Sequence, residues 1–172
     1  MGLFSGLFHK DEAESKPAEP KTLAIVAPVD GAYKTIEEVP DDTFAAKILG
    51  DGFAVAPTSG TVVAPVSGTV TTVANAKHAV GITTPGGVEV LVHIGVDTVQ
   101  LNGAPFDMLV AAGQTITAGK PIERVDLQAV KDAGKPTDVI VVFTNPAAIA
   151  SLDLDAPETV TAGQPVGTMT VK

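Results

Sequence analysis

The chain has 172 residues, 45% of them hydrophobic, and sets 20 acidic against 11 basic side chains for a formal net charge of −9. That length can bury one sizeable core, while the acidity, with no Lys/Arg stripe interleaved with aromatics, excludes nucleic acid as a partner. Without a single cysteine there are no disulfides, thiolate metal sites or Cys nucleophiles.

Residues 1–10 lack the basic start and small-residue cleavage site of a secretion signal. Leu3, Phe4, Leu7 and Phe8 do share one face of a helical turn and a half, which suits a weak membrane-surface contact. From Asp11 to Lys21 the sequence is charged, carries prolines and has no large apolar group, so it cannot repay its ordering entropy and reads as a linker. Residues 1–21 are therefore expected to form a tail and linker, and residues 22–172 one domain. No run of 18 apolar residues is present to span a bilayer. With the missing cysteines this points to the cytoplasm, and to the inner face of the membrane where the first ten residues meet lipid.

Beyond the linker the apolar runs are short and rich in Val and Ile, which stiffen χ1 and favour strands. They are Leu23–Ala27, Ala32–Ile36, Phe53–Ala56, Thr61–Ala64, Thr69–Val73, Ala79–Thr83, Val88–Ile94, Pro121–Val125, Val139–Phe143 and Val166–Val171. Turn signals punctuate them at 29–31, 57–60, 66–68 and 85–87, each ending in glycine. Helix is expected only after Pro40-Asp41-Asp42, near Pro105–Val110, and over Leu127–Ala133 with Asp126 as N-cap and Gly134 just past the end. Two phrases echo: Ala27-Pro28-Val29-Asp30-Gly31 returns as Ala64-Pro65-Val66-Ser67-Gly68, and Ala112-Gly113-Gln114 returns as Ala162-Gly163-Gln164. The pattern predicts an all-β fold, an antiparallel β-sandwich or barrel-like domain with a few short helical turns.

His78 and His93 end two of these runs, fifteen residues apart, with the Pro85-Gly86-Gly87 turn midway between them. Antiparallel pairing about that turn brings both imidazoles to one end of the sheet. Histidine is the side chain that is both neutral and nucleophilic near pH 7, so the pair is the candidate site. Two imidazoles are also half of a zinc site, but the domain has no third histidine, so a zinc ion at His78/His93 would need a carboxylate from Asp97 or a partner. No Gly-x-Ser-x-Gly elbow and no P-loop is present.

The residues resemble the glucose-type IIA component of the bacterial phosphoenolpyruvate-dependent sugar phosphotransferase system. The similarity runs from about Leu23 to Lys172 and rests on Ala27-Pro28-Val29-x-Gly31, Val39-Pro40-Asp41, Phe44-Ala45-x-Lys47-Ile48-Leu49-Gly50-Asp51-Gly52, and above all on the stretch from Gly87 to Gly103 that contains His93. The resemblance implies a phosphocarrier needing no cofactor. His93 would accept a phosphoryl group on Nε2 from phospho-HPr and pass it to a cysteine of a sugar-specific IIB domain, itself coupled to the IIC permease. His78 would bind the phosphoryl oxygens, and the Gly95 carbonyl would hold the Nδ1–H of His93. Asp41 and Asp97 would meet partner arginines, with Phe44, Ile48, Leu49 and Val99 as an apolar rim.

Three departures from the family pattern stand out. Ala76 replaces the Thr that orients the second histidine in enteric members, Ala74 and Leu91 replace aromatics around the site, and residues 144–149 lack the acids through which enteric relatives bind regulatory targets. Two further readings stay open on the residues alone. One is a regulatory IIA-like module without transfer activity; the other is a biotinyl- or lipoyl-type carrier modified at Lys77.

Overall fold

A computed structural model describes residues 21–172. The tail and its membrane contact, expected for residues 1–20, lie outside the described residues. Lys21, expected to end the linker, already pairs with Val171.

Three antiparallel sheets make up the fold. In the first, β1 (Lys21–Val26) and β12 (Ile149–Leu154) flank β14 (Pro165–Val171). In the second, β4 (Thr61–Val63) and β8 (Phe106–Met108) flank β10 (Pro121–Val125). The third has eight strands in the spatial order β13 (Thr159–Val160), β2 (Gly31–Thr35), β3 (Asp51–Pro57), β11 (Val139–Phe143), β7 (Glu89–Ile94), β6 (Ala79–Thr83), β5 (Gly68–Val73) and β9 (Thr115–Ile116). Among the described residues helix is confined to α1 (Asp42–Ala45), α2 (Leu127–Asp132) and single 3-10 turns. No helix among the described residues is long and apolar enough to cross a membrane. The all-β antiparallel architecture expected from the Val-rich runs is the one observed.

The echoed phrases have a structural meaning, with one correction. Ala27 exchanges backbone hydrogen bonds with Gly163 and Gln164, and Ala64 makes the same two bonds to Gly119 and Lys120. Asp30 Oδ1 accepts from the Ala162 N–H at 2.7 Å, as Ser67 Oγ accepts from the Ala118 N–H at 2.9 Å. The counterpart of 162–166 is therefore 118–122 rather than 112–116, because the side chain before each echoed glycine, Asp30 or Ser67, selects which loop it ties down.

The central strands β3, β11 and β7 are buried on both faces. Val139, Val141, Phe143, Phe53, Val55, Val90, Val92 and Ile94 point into the main core. Their alternates Ile140, Val142 and Ala54 form a second cluster with Ile36, Val39, Phe44 and Val96, and Leu91 packs against it. The segment from Ile36 to Phe44 thus roofs the outer face of the sheet. This explains why β11 reads Val-Ile-Val-Val-Phe without the alternation of a strand with one wet face.

The helix expected near Pro105–Val110 is instead strand β8. Phe106, Asp107 and Met108 alternate in burial and pair with Val125, Arg124 and Glu123. So short a segment cannot nucleate a helix unaided, whereas an existing strand edge offers it partners at once. The expected α2 is present, with Asp126 Oδ1 accepting from the Ala129 N–H at 3.0 Å and Gly134 at φ +77° beyond its end. Strand β12 escaped the pattern because half of its side chains are exposed, and Ser151 and Asp153 among them are polar.

One buried group works against the fold. Glu123 is 0% exposed in β10, and neither carboxylate oxygen has a hydrogen-bond partner. Burial pushes its carboxyl up to about 8, opposed by Lys77 and helped by Asp107. In the unfolded chain the group ionises near 4.5, so between that pH and about 8 only the folded state holds the proton and stability falls as pH rises. Glu123→Gln should abolish this decline, matching the parent near pH 4 and exceeding it at pH 8 by on the order of a few kcal/mol. Urea unfolding at both pH values checks it; equal gains at the two would contradict the assignment.

Candidate functional site

The β6–β7 hairpin sets Ala79 opposite His93, and the Ile94 N–H donates to the His78 carbonyl at 2.8 Å just beyond the last rung. The two imidazoles meet edge to face, with ring centroids 5.0 Å apart and planes at 82°. Cross-strand partners place His93 in one row with Ile140, Ala54 and Lys34, so its ring stands on the outer, roofed face of the sheet. Phe44 supplies the roof: its ring lies 5.1 Å from that of His93, tilted by 60°.

A 2.8 Å hydrogen bond joins His93 Nδ1, as donor, to the Gly95 carbonyl. The bond depends on a backbone that only glycine tolerates here. Gly95 sits at φ +79°, and a Cβ there would collide with the Thr98 methyl and crowd the Pro136 carbonyl. Thr98, fully buried, donates its hydroxyl to the Ile94 carbonyl, and the Gly95 N–H donates to the Asp138 carbonyl at 2.7 Å. With the proton on Nδ1, the Nε2 of His93 carries a lone pair.

Burial first, and then the neighbouring His78, lower the pKa of His93 to about 4, against the pull of the Gly95 carbonyl, Asp41 and Asp97. At pH 7 the ring is therefore neutral and its lone pair unprotonated. Burial lowers the pKa of His78 as well. Its Nδ1 is buried without a hydrogen-bond partner.

Of the other expected site residues, Asp41 and Asp97 lie near enough to act on the charge of His93. Ile48, Leu49 and Val99, 71%, 39% and 50% exposed, are the large hydrophobic side chains left in water among the described residues. Phe44, expected with them on the rim, is only 6% exposed: Asp41 Oδ1 accepts from the Thr43 and Phe44 N–H groups as the cap of α1, and the phenyl ring lies against that of His93. Asp41 thus has one oxygen engaged by the helix end. Asp97, exposed at φ +60°, makes no side-chain cap to the turn it begins. Among the described residues no group of three or more His, Cys, Asp or Glu could hold a metal ion, so the dyad offers two imidazoles alone. Sequence reasoning overlooked Thr98 and the 3.0 Å ion pair between Lys34 and Asp138, whose partners lie 104 residues apart.

Residues 23–149 match the family model for the phosphoenolpyruvate-dependent sugar phosphotransferase system, EIIA 1. The chain belongs to this family. It is thus a phosphotransferase component of a sugar-uptake system, with a phosphocarrier role. It is 42% identical over 163 residues to the PTS system glucose-specific EIIA component of Halalkalibacterium halodurans, covering 94% of each chain. It is 46% identical over 134 residues to the PTS system glucose-specific EIICBA component of Streptococcus pneumoniae, covering 78% of this chain but only 18% of that longer protein. The glucose permease IIA of Mycoplasma capricolum superposes with a TM-score of 0.80 at 40% identity, covering 86% of this chain and 96% of that one. Family membership removes the biotinyl-carrier alternative, for which Lys77, in the turn before His78, was the attachment point.

Because His78 holds down the pKa of its neighbour, His78→Gln should raise that of His93 above about 4. An NMR titration of the His93 ring reads this directly. An unmoved or lowered value would show that the two rings are not electrostatically coupled.

Proposed function

We propose that His93 is the phosphoryl acceptor and that the group passes in two displacements. In the first, the Nε2 lone pair of His93 attacks the phosphorus of phospho-HPr, and the N–P bond to the carrier's histidine breaks with its electron pair returning to that ring. In the second, a cysteine thiolate of a IIB domain attacks the same phosphorus, and the bond to Nε2 breaks in turn. The observation that carries this reading is the Nδ1–H bond to the Gly95 carbonyl on a ring neutral at pH 7. It leaves one nitrogen, and only one, able to act as nucleophile. Phosphoryl transfer asks the protein chiefly for in-line positioning and stabilisation of equatorial oxygen charge.

His78 is assigned to those oxygens. Its buried, unpartnered Nδ1 favours the proton on Nε2, which then donates to the phosphoryl group. The exposed Ile48, Leu49 and Val99 are assigned as the apolar surface on which both carriers dock, excluding water from the labile N–P bond. Asp41 and Asp97 beside this surface would meet cationic residues of the partners, and the net charge of −9 would steer such partners by long-range attraction. Exchange between these carriers is a cytoplasmic activity. The names of the relatives support glucose as the sugar served, through a IIB/IIC permease that performs the selection.

Incubation with phosphoenolpyruvate and the upstream carriers should add one phosphate to the parent and none to His93→Gln. His78→Gln should still accept the group but deliver it to IIB at least about a hundredfold more slowly, on the scale of a lost transition-state donor. Label on the His93→Gln protein would sink the assignment. Val99→Glu should weaken carrier docking about tenfold, as a truncated interface anchor does, seen as a raised KM with an unchanged melting temperature. An unaltered KM would remove Val99 from the docking surface.

A further inference from the structure

The Gly95 carbonyl can select the tautomer of His93 only if the peptide that carries it is itself held. On the turn's own side the constraint is the glycine backbone and the buried Thr98 hydroxyl. On the far side it is the loop between α2 and β11: the Val96 N–H donates to the Pro136 carbonyl at 3.1 Å and the Gly95 N–H to the Asp138 carbonyl at 2.7 Å. Asp138 precedes the first residue of β11, so no rung of the β3–β11 ladder fixes it.

What holds it is a side chain two strands away. The Asp138 carboxylate, 7% exposed, receives the Lys34 ammonium at 3.0 Å. Lys34 belongs to β2, and the intervening strand β3 presents Ala54 and Ala56 on the same face, opposite Lys34 and Ala32. Two alanines there leave a shallow trough across which the lysine stem can lie. The geometry is a continuous relay: Lys34 Nζ to Asp138 carboxylate, Asp138 carbonyl to Gly95 N–H, and Gly95 carbonyl to His93 Nδ1–H. Removing one member of so buried a pair takes away the 3.0 Å contact that holds the other, and the backbone that carries it is then free to move.

We propose that the Lys34–Asp138 ion pair is a positioning device for His93: it clamps the start of β11, thereby holds the Gly95 peptide, and so keeps the acceptor ring in the Nδ1–H tautomer. For its kinetic consequence the proposal rests on the phosphocarrier reading; for its effect on the ring it does not.

The test compares Lys34→Met, Lys34→Arg and Asp138→Asn with the parent as full chains. Two-bond 1H–15N correlation spectra of the unphosphorylated proteins at pH 7 give the tautomer of His93 without any carrier present. The parent and Lys34→Arg should show one Nδ1–H pattern, and Lys34→Met a shift toward averaged ring nitrogens. Phosphoryl acceptance from phospho-HPr by Lys34→Met should slow roughly tenfold at unchanged KM, a loss of alignment rather than of docking. Asp138→Asn, which leaves no buried charge behind, should fold even if Lys34→Met does not, and should shift the ring in the same direction. A lower melting temperature with the parent's ring pattern and the parent's rate in both variants would reduce the pair to a structural brace and overturn the proposal. A shifted ring in a protein whose parent accepts no phosphate would instead uphold the pair and defeat the phosphocarrier assignment of His93.

Discussion

The hydrogen bond from His93 Nδ1 to the Gly95 carbonyl is the constraint around which the rest of the molecule is arranged. An imidazole in water exchanges its proton between two nitrogens, and either can be a nucleophile. Here one nitrogen is committed, and its commitment draws on parts of the chain far from the ring: the positive φ of Gly95, the Thr98 hydroxyl, the carbonyls of Pro136 and Asp138, and the roof laid down by Ile36 to Phe44. Burial and the neighbouring His78 together take the ring's pKa to about 4, which removes the competing protonated form at neutral pH. The sheet supplies rigidity. Because β3, β11 and β7 are packed on both faces, the row that includes His93 cannot tilt without disturbing two clusters at once.

Apolar surface is unevenly distributed. Residues 36–44 cover part of the outer face of the sheet, whereas Ile48, Leu49 and Val99 remain in water. Asp41 and Asp97, which act on the charge of His93, have no lysine or arginine partner among the described ion pairs. Exposed apolar side chains together with such carboxylates fit a partner with an apolar face and a basic margin.

Much of this was legible from residue order. Hairpin spacing about Pro85-Gly86-Gly87 placed the two histidines together, and Gly95, Asp41, Asp97, Ile48, Leu49 and Val99 stood out through a long family-like phrase. Phe44, expected on the apolar rim, lies buried against His93, and no pattern in the sequence announces that burial. Strand β8 was misread as helix because three residues carry too little periodicity to set against a strand edge supplied by β10 from later in the chain. Lys34 and Asp138 were invisible for a related reason: their contact exists only after β2, β3 and β11 have paired, and nothing local to either residue announces it. Glu123 likewise reads as an ordinary surface acid until β4 and β8 close on both sides of it.

The account stands on which atom of which ring becomes bonded to phosphorus. Phosphorylated, 15N-labelled protein examined by 31P–15N coupling should place the phosphoryl group on Nε2 of His93, with Nδ1 still protonated. Phosphate on Nδ1 of that ring, or on His78, would contradict it.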